Sequence, residues 1–217
     1  MKINALSKTS EGRKVLSTPS FELLNGEICV LVGANGSGKS SLAKAIAGVI
    51  SDDFGAKSFE EKLNVGYMPQ KSYAFRMNVL RNLLLAGGDE TGAMEMLDKL
   101  GIAHLAKAPA KKLSGGESAR MALGRVLMEK HDLIILDEPT ASMDMESTAL
   151  SEALIVDYCK KSGAAVLWVT HSLAQARRVA DKAMFLRKGE MIEFGNAEKL
   201  LNEPEKEETK EFLKFYE

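Results

Sequence analysis

Three short stretches carry residue types suited to phosphate chemistry. The first, GANGSGKS at 33–40, fits the pattern G-x-x-x-x-G-K-[ST]. Gly33, Gly36 and Gly38 let the backbone take positive φ and turn its N–H groups inward around an anion. Lys39 brings a point charge to β and γ phosphates, and Ser40 offers a hydroxyl to Mg²⁺. The second, LIILDEP at 133–139, is an apolar run that ends on two carboxylates, Asp137 and Glu138. Placing two charges at the end of a buried strand is costly unless a cation or water meets them. Successive strand residues point to opposite sides, so Asp137 can face a Mg²⁺ shell while Glu138 faces an attacking water, to orient it or accept its proton. The third, LSGGE at 113–117, precedes a helical stretch. Ser114 and Glu117 form the S-x-x-E of a capping box, and a plain helix start explains them. Gly115 and Gly116 leave that start open enough to suit a phosphate, so both readings stand on the residues alone.

These residues need elements to hold them. ICVLV at 28–32 leads into the Gly-rich turn, and SSLAKAIAGVI beyond it has helical spacing, with Gly48 placed to end the helix. LIIL (133–136) and AAVLWV (164–169) are continuous apolar runs, as expected of strands buried on both faces. SLAQARRVADKA (172–183) has helical composition, and MFLRKGEMIEF (184–194) reads as two strands around a Lys188-Gly189 turn. The alternation predicts an α/β fold with parallel central strands and crossover helices, and in such sheets ligands gather at the carboxyl ends of strands. From 76 to 129 the pattern changes. NVLRNLLLA, TGAMEMLDKLGI and ESARMALGRVLMEK all suggest helices with no strand between them. A helical subdomain at 76–129 is therefore expected to interrupt a core formed by 1–75 and 130–217. The tail EPEKEETKEFLKFYE gathers Phe212, Leu213, Phe215 and Tyr216 at its end. It reads as an amphipathic helix packing back on the body, with a regulatory tail as the alternative.

Composition removes several classes. The 217 residues carry 29 Lys and Arg against 30 Asp and Glu, which argues against nucleic-acid binding through bulk positive potential and against a disordered acidic chain. The longest apolar runs fall far short of the ~20 residues of a membrane-spanning helix. The opening MKINALSKTSEG is too polar for a secretory signal, so a cytosolic chain is expected. Cys29 and Cys159 sit in no CxxC or Cys/His pattern and read as reduced, structural thiols.

The order GANGSGKS, Gln70 in VGYMPQ, LSGGESAR, LIILDEP, TASMD and WVTH resembles the ATP-binding cassette family, running in that family's order from residue 33 to 171. The resemblance implies one ATPase domain over 1–217. Its fold would be a P-loop NTPase core with a mostly parallel sheet, a small antiparallel β-subdomain and an inserted α-helical subdomain. ATP and Mg²⁺ are the implied ligands. Gly33, Ala34, Asn35, Gly36, Ser37, Gly38, Lys39, Ser40 and Ser41 would hold the nucleotide. Ser40, Gln70 and Asp137 would serve the metal, and Lys39, Gln70, Glu138 and His171 would carry catalysis. Family members dimerise head to tail around two ATP, so Ser114, Gly115, Gly116 and Glu117 of one copy would reach the nucleotide of the other. Asp144, in TASMD, would sit at the subunit interface. His171 alone reads better as a structural histidine; the family pattern gives it a bond to the γ-phosphate. His104 and His131 match no motif.

The same resemblance implies a nucleotide-binding subunit that powers a membrane transporter, cytoplasmic and held on the inner face of the membrane through separate permease subunits. Importer is favoured over exporter, with an extracytoplasmic substrate-binding protein as a further partner and no nucleic acid. RVADKAMFLRKGEMIEFGNAEKLLNEP looks like importers of oxyanions such as phosphate or tungstate, and GYMPQKSY like metal-ion importers. An exporter subunit and a soluble family member outside transport are the alternatives. Tyr73, Phe75 and Arg76 would line the permease-docking groove or pack within the helical subdomain. Two departures carry expectations. The aromatic residue that many members place before the first core strand is missing, the best-matching position being Ser10, so weak discrimination between bases is expected. The span from Lys39 to Gln70 is 31 residues, which implies a trimmed β-subdomain.

Overall fold

The computed structural model describes residues 1–10, 12–53 and 58–216, with the side chains of Ser10 and Arg13 outside the description. Four short strands come first: β1 (Lys2–Ile3), β2 (Leu6–Ser10), β3 (Arg13–Thr18) and β4 (Phe21–Glu22). They lead into β5 (Ile28–Val32), α1 (Lys39–Ile46) and β6 (Val65–Met68). Helices α2 (Val79–Leu84), α3 (Glu90–Lys99) and α4 (Gly115–Leu127) follow, with no strand among them. Alternation then resumes with β7 (Leu133–Asp137), α5 (Met145–Ser162), β8 (Ala165–Val169), α6 (Leu173–Val179), β9 (Lys182–Arg187), β10 (Glu190–Asn196), α7 (Ala197–Asn202) and α8 (Glu207–Tyr216).

Eight strands form one sheet in the order β2-β3-β10-β9-β5-β8-β7-β6. From β9 to β6 every neighbouring pair is parallel. The β9–β10 and β2–β3 pairs are antiparallel, and β1 with β4 makes a separate two-stranded antiparallel sheet. The expected α/β fold with a mostly parallel sheet is what the chain adopts. The continuous apolar runs are explained by two buried faces. Ile28, Val30 and Val32 of β5, Ile134 and Leu136 of β7, and Val166 and Trp168 of β8 pack into the layer shared with α2 to α8. The intervening Cys29, Leu31, Leu133, Ile135, Leu167 and Val169 pack with Leu42, Ala43 and Ile46 of α1 on the other side.

Local chemistry sets the boundaries. Gly48 has φ +71° just past α1, where Val49 N–H donates to Lys44 O at 2.9 Å, so the helix stops where expected. The helical reading of 172–183 runs too far, because α6 ends at Val179 and Lys182 already belongs to β9. Asp181 forces the change: its N–H donates to Ile28 O and its carboxylate accepts from Ile28 N–H, both at 2.9 Å, which draws the chain onto β5. The tail folds back as a helix through Phe212 and Leu213, but Phe215 is 83% exposed, so the aromatic cluster is divided between core and surface. Both cysteines are free and buried, and burial pushes the Cys159 thiol up to about 11 and Cys29 higher still. Among the described residues, no helix is long and apolar enough to cross a membrane.

Candidate active site

β5 lies between β8 and β9 and delivers the chain to the phosphate-type loop. Gly33, Gly36 and Gly38 take φ of +153°, +76° and +101°. At Gly33 a Cβ would stand 2.3 Å from the Leu186 carbonyl oxygen, so only glycine lets the loop close on β9. α1 starts at Lys39 with no side chain capping its first N–H groups, which leaves donors aimed out of the helix start. Lys39 is buried, and its ammonium donates to Gly33 O at 2.7 Å and Ala34 O at 3.0 Å. Burial lowers its pKa, while the charges of Glu138 and Asp137 oppose the shift.

The alternation of β7 decides where the two carboxylates go. Leu133 and Ile135 face α1, and Asp137 continues that side, buried, accepting a hydrogen bond from Ser40 Oγ at 3.1 Å. Burial raises the Asp137 pKa; the Ser40 hydroxyl opposes this and the neighbouring Glu138 adds to it. Glu138 leaves the strand with φ +52°, and its N–H donates to Val169 O at 3.0 Å. A non-glycine residue held there costs about 1–3 kcal/mol, a strain found where a side chain must be aimed. Glu138 Oε2 accepts from Gln70 Nε2 at 3.0 Å and stands 3.4 Å from His171 Nδ1. Gln70, Glu138 and His171 follow β6, β7 and β8, three adjacent parallel strands, so the sheet itself gathers them on one oxygen.

A buried network braces this arrangement. Gln175 accepts from Thr170 Oγ1 at 2.7 Å and donates to Thr140 Oγ1 and Glu152 Oε1, both at 2.9 Å. Arg178 closes the set on Glu152 with bonds of 3.1 and 2.6 Å. The segment carrying His171 is thereby tied to the segment after Glu138 and to α5. Thr140 and Thr170 fall within TASMD and WVTH, but Glu152, Gln175 and Arg178 belong to no motif, so the network itself is not marked in the sequence.

Gly33, Asn35, Gly36, Gly38, Lys39, Ser40, Ser41, Gln70, Glu138 and His171 line one cavity of 1070 Å³. Ala34 and Ser37 line the adjoining one. Ser114, Gly115, Gly116, Glu117 and Asp144 belong to a different place. Ser114 and Glu117 make the capping box in both directions, at 3.3 and 2.8 Å, and the Ser114 N–H holds the Glu117 carboxyl below its ordinary range. Gly116 lies so close to the segment before Asp144 that a Cβ would meet Ser142 O at 2.9 Å. Asp144 caps α5 by accepting from Ser147 N–H at 2.7 Å, which lowers its pKa. The side chain of Ser10 lies outside the described residues. Lys14, Val15, Lys188, Gly189 and Tyr216 also line the cavity, and sequence reasoning did not reach them. Only the aromatic cluster of the tail gave a signal, and it pointed to packing.

The sequence model of the ABC transporter family matches residues 16–141. The tungstate uptake system ATP-binding protein TupC of Peptoclostridium acidaminophilum is 37% identical over 88% of this chain and 96% of its own length. The molybdate/tungstate import ATP-binding protein WtpC of Methanocaldococcus jannaschii is 36% identical over 99% of this chain and 76% of its own. The zinc import ATP-binding protein ZnuC of Vibrio vulnificus is 36% identical over 85% and 72%. A solved ABC transporter in an inward-facing conformation superimposes with a TM-score of 0.78 at 27% identity, covering 92% of this chain and 84% of that one. The chain belongs to the ABC transporter family. Its place there is that of the ATP-binding, ATP-hydrolysing subunit.

Proposed function

We infer that the chain binds and hydrolyses ATP in the cavity around Lys39, as one of two copies arranged head to tail, and powers an importer of an oxyanion or a metal ion. The convergence of Gln70 and His171 on Glu138 Oε2, beside the loop at 33–40, supports this reading most strongly. The loop amides and Lys39 bind the phosphates, with Lys39 turning from the Gly33 and Ala34 carbonyls toward the β and γ oxygens. Glu138 orients a water for in-line attack on the γ-phosphorus and takes its proton as the bond to the leaving oxygen breaks. Gln70 and His171 hold the carboxylate in line, and His171 is free to bond the γ-phosphate. Ser40 and Asp137, hard oxygen donors already 3.1 Å apart, fit Mg²⁺, and Gln70 lines the same cavity as Ser40. Bound there with the nucleotide, Mg²⁺ would neutralise phosphate charge.

The residues at 114–117 and Asp144 complete the site from a second copy. They are absent from the cavity's lining in one chain, and the capping box engages the Ser114 and Glu117 N–H groups while leaving the Gly115 and Gly116 amides of the helix start to meet a phosphate. The family makes a membrane permease the expected partner, and the import proteins among its relatives favour uptake. An extracytoplasmic binding protein would then deliver the cargo. Tyr73 and Phe75, 56% and 40% exposed, supply a surface for the permease. Their rings pack edge to face at 4.9 Å, under Lys111 and Arg125, beside a 420 Å³ cavity lined by Arg76. Purification of the tagged chain from detergent-solubilised membranes tests the reading. An integral membrane protein is expected to co-purify stoichiometrically, with recovery reduced several-fold by Phe75→Ala. Unchanged recovery with Phe75→Ala would move the docking surface elsewhere, and soluble partners alone would favour a family member outside transport.

A further inference from the structure

The hairpin of β2 and β3 flanks the nucleotide cavity through Lys14 and Val15, yet residues 6–18 contain no Phe, Tyr, Trp or His. Another element that lines the cavity differs in this respect. Among the described residues that line it, Tyr216 carries the one benzene ring. This ring comes from α8 and is 45% exposed. It is held from behind by a short aromatic ladder. Phe185 of β9 stacks on Phe212 at 4.8 Å, and Phe212 packs on Tyr216 at 4.7 Å. Phe215 braces the ring edge at 5.3 Å. Phe185 and Phe212 belong to the core, so Tyr216 is anchored while its outer surface stays available.

Its position along the cavity matters. The reacting phosphate must lie near Glu138, Gln70 and His171, which form one hydrogen-bonded end. A nucleotide whose γ-phosphate lies there must place its base among the other lining residues, which include the walls made by Lys14, Val15, Lys188 and Tyr216. Those walls are joined to the loop: Gly189 N–H donates to Ser37 O, and Ser17 N–H donates to Gly189 O, both at 2.7 Å. Tyr216 also lines the adjoining cavity with Asn35 and Gly36, so it stands beside the loop itself.

We propose that Tyr216 is the platform on which the base of the bound nucleotide stacks. The proposal rests on the nucleotide site inferred above and assigns its base end to α8. A ring face accepts any base, because stacking reads no hydrogen-bond edge. Weak discrimination between ATP and GTP therefore accompanies tight binding of both.

Titration calorimetry of the full chain with ATP, GTP and inorganic tripolyphosphate, without added divalent cation, tests the assignment. Tyr216→Ala is expected to weaken ATP and GTP alike, by about 5- to 150-fold, the range that base–aromatic stacking spans. Tripolyphosphate, which has no base, should bind as to wild type. Tyr216→Phe should restore nucleotide affinity and Tyr216→Leu should not, with thermal unfolding confirming that each variant is folded. Unchanged ATP affinity in Tyr216→Ala overturns the proposal, as does an equal loss for tripolyphosphate, which would mean that α8 acts only on the shape of the loop. A wild-type chain that binds neither ATP nor tripolyphosphate would overturn the nucleotide site itself, a result distinct from both.

Discussion

Glu138→Gln is expected to lower ATP turnover by about 10²- to 10⁴-fold, the usual contribution of a positioned general base. ATP affinity should stay close to that of the parent. The substitution keeps the shape of the side chain, and the amide oxygen can still accept from Gln70 Nε2, the contact that measures 3.0 Å in the parent chain. The backbone at φ +52° is as strained for one residue as for the other, so the fold is not differentially affected. What disappears is the ability to take a proton from water. A nucleotide that binds and is not consumed should then hold two copies together, and light scattering should report twice the 23.6 kDa of one chain. Steady-state turnover, equilibrium binding and mass measured on one preparation separate the cases. Undiminished turnover would remove Glu138 from the proposed role, and equal losses in binding and turnover would point to a damaged site.

Lys39→Ala should act on a different step. Its ammonium is enclosed by the loop, where it donates to the Gly33 and Ala34 carbonyls, so it needs only to turn from these to meet phosphate. Removing a preorganised donor of this kind costs about 10²–10³ in turnover. ATP affinity should fall as well, in contrast to Glu138→Gln. Lys39→Arg keeps the charge but brings a planar guanidinium into a space shaped for a slender stem, and it should not restore activity. Near-normal turnover in either variant would show that the phosphates are held elsewhere. The paired variants thus separate binding from chemistry, one losing both and the other only turnover.

Much of this architecture was legible in the residues because several signals agreed. The strand reading of 28–32, 133–136 and 164–169 holds since each run is buried on both faces and is too short for a buried helix. The placement of Asp137 follows from strand alternation and from the two residues before it on the α1 side. Glu138 was harder, because its direction depends on a positive φ that no pattern announces. α6 ends before its helical pattern does because Asp181 is fixed by a contact with Ile28, 153 residues away in sequence. Lys14, Val15 and Lys188 reach the cavity through sheet order, which sets β3 beside β10 from a distant part of the chain, and Tyr216 reaches it through α8, where Phe212 stacks on Phe185 of β9. The capping box at Ser114 and Glu117 was read from local spacing, and it forms as written. Capping and a role toward phosphate are compatible, because the box occupies side chains and leaves amides of the helix start.

In the proposed dimer each chain holds half of each site, with the segment at 114–117 closing the cavity of a second copy. Disulfide trapping between two differently tagged copies reads this arrangement out, one bearing Asn35→Cys and the other Ser114→Cys, both in the Glu138→Gln background. The native thiols are buried with raised pKa values and will not compete. A mixed disulfide that forms between the two copies only when ATP is present is the predicted result. No mixed disulfide with ATP, or one that forms equally without it, would contradict the head-to-tail arrangement.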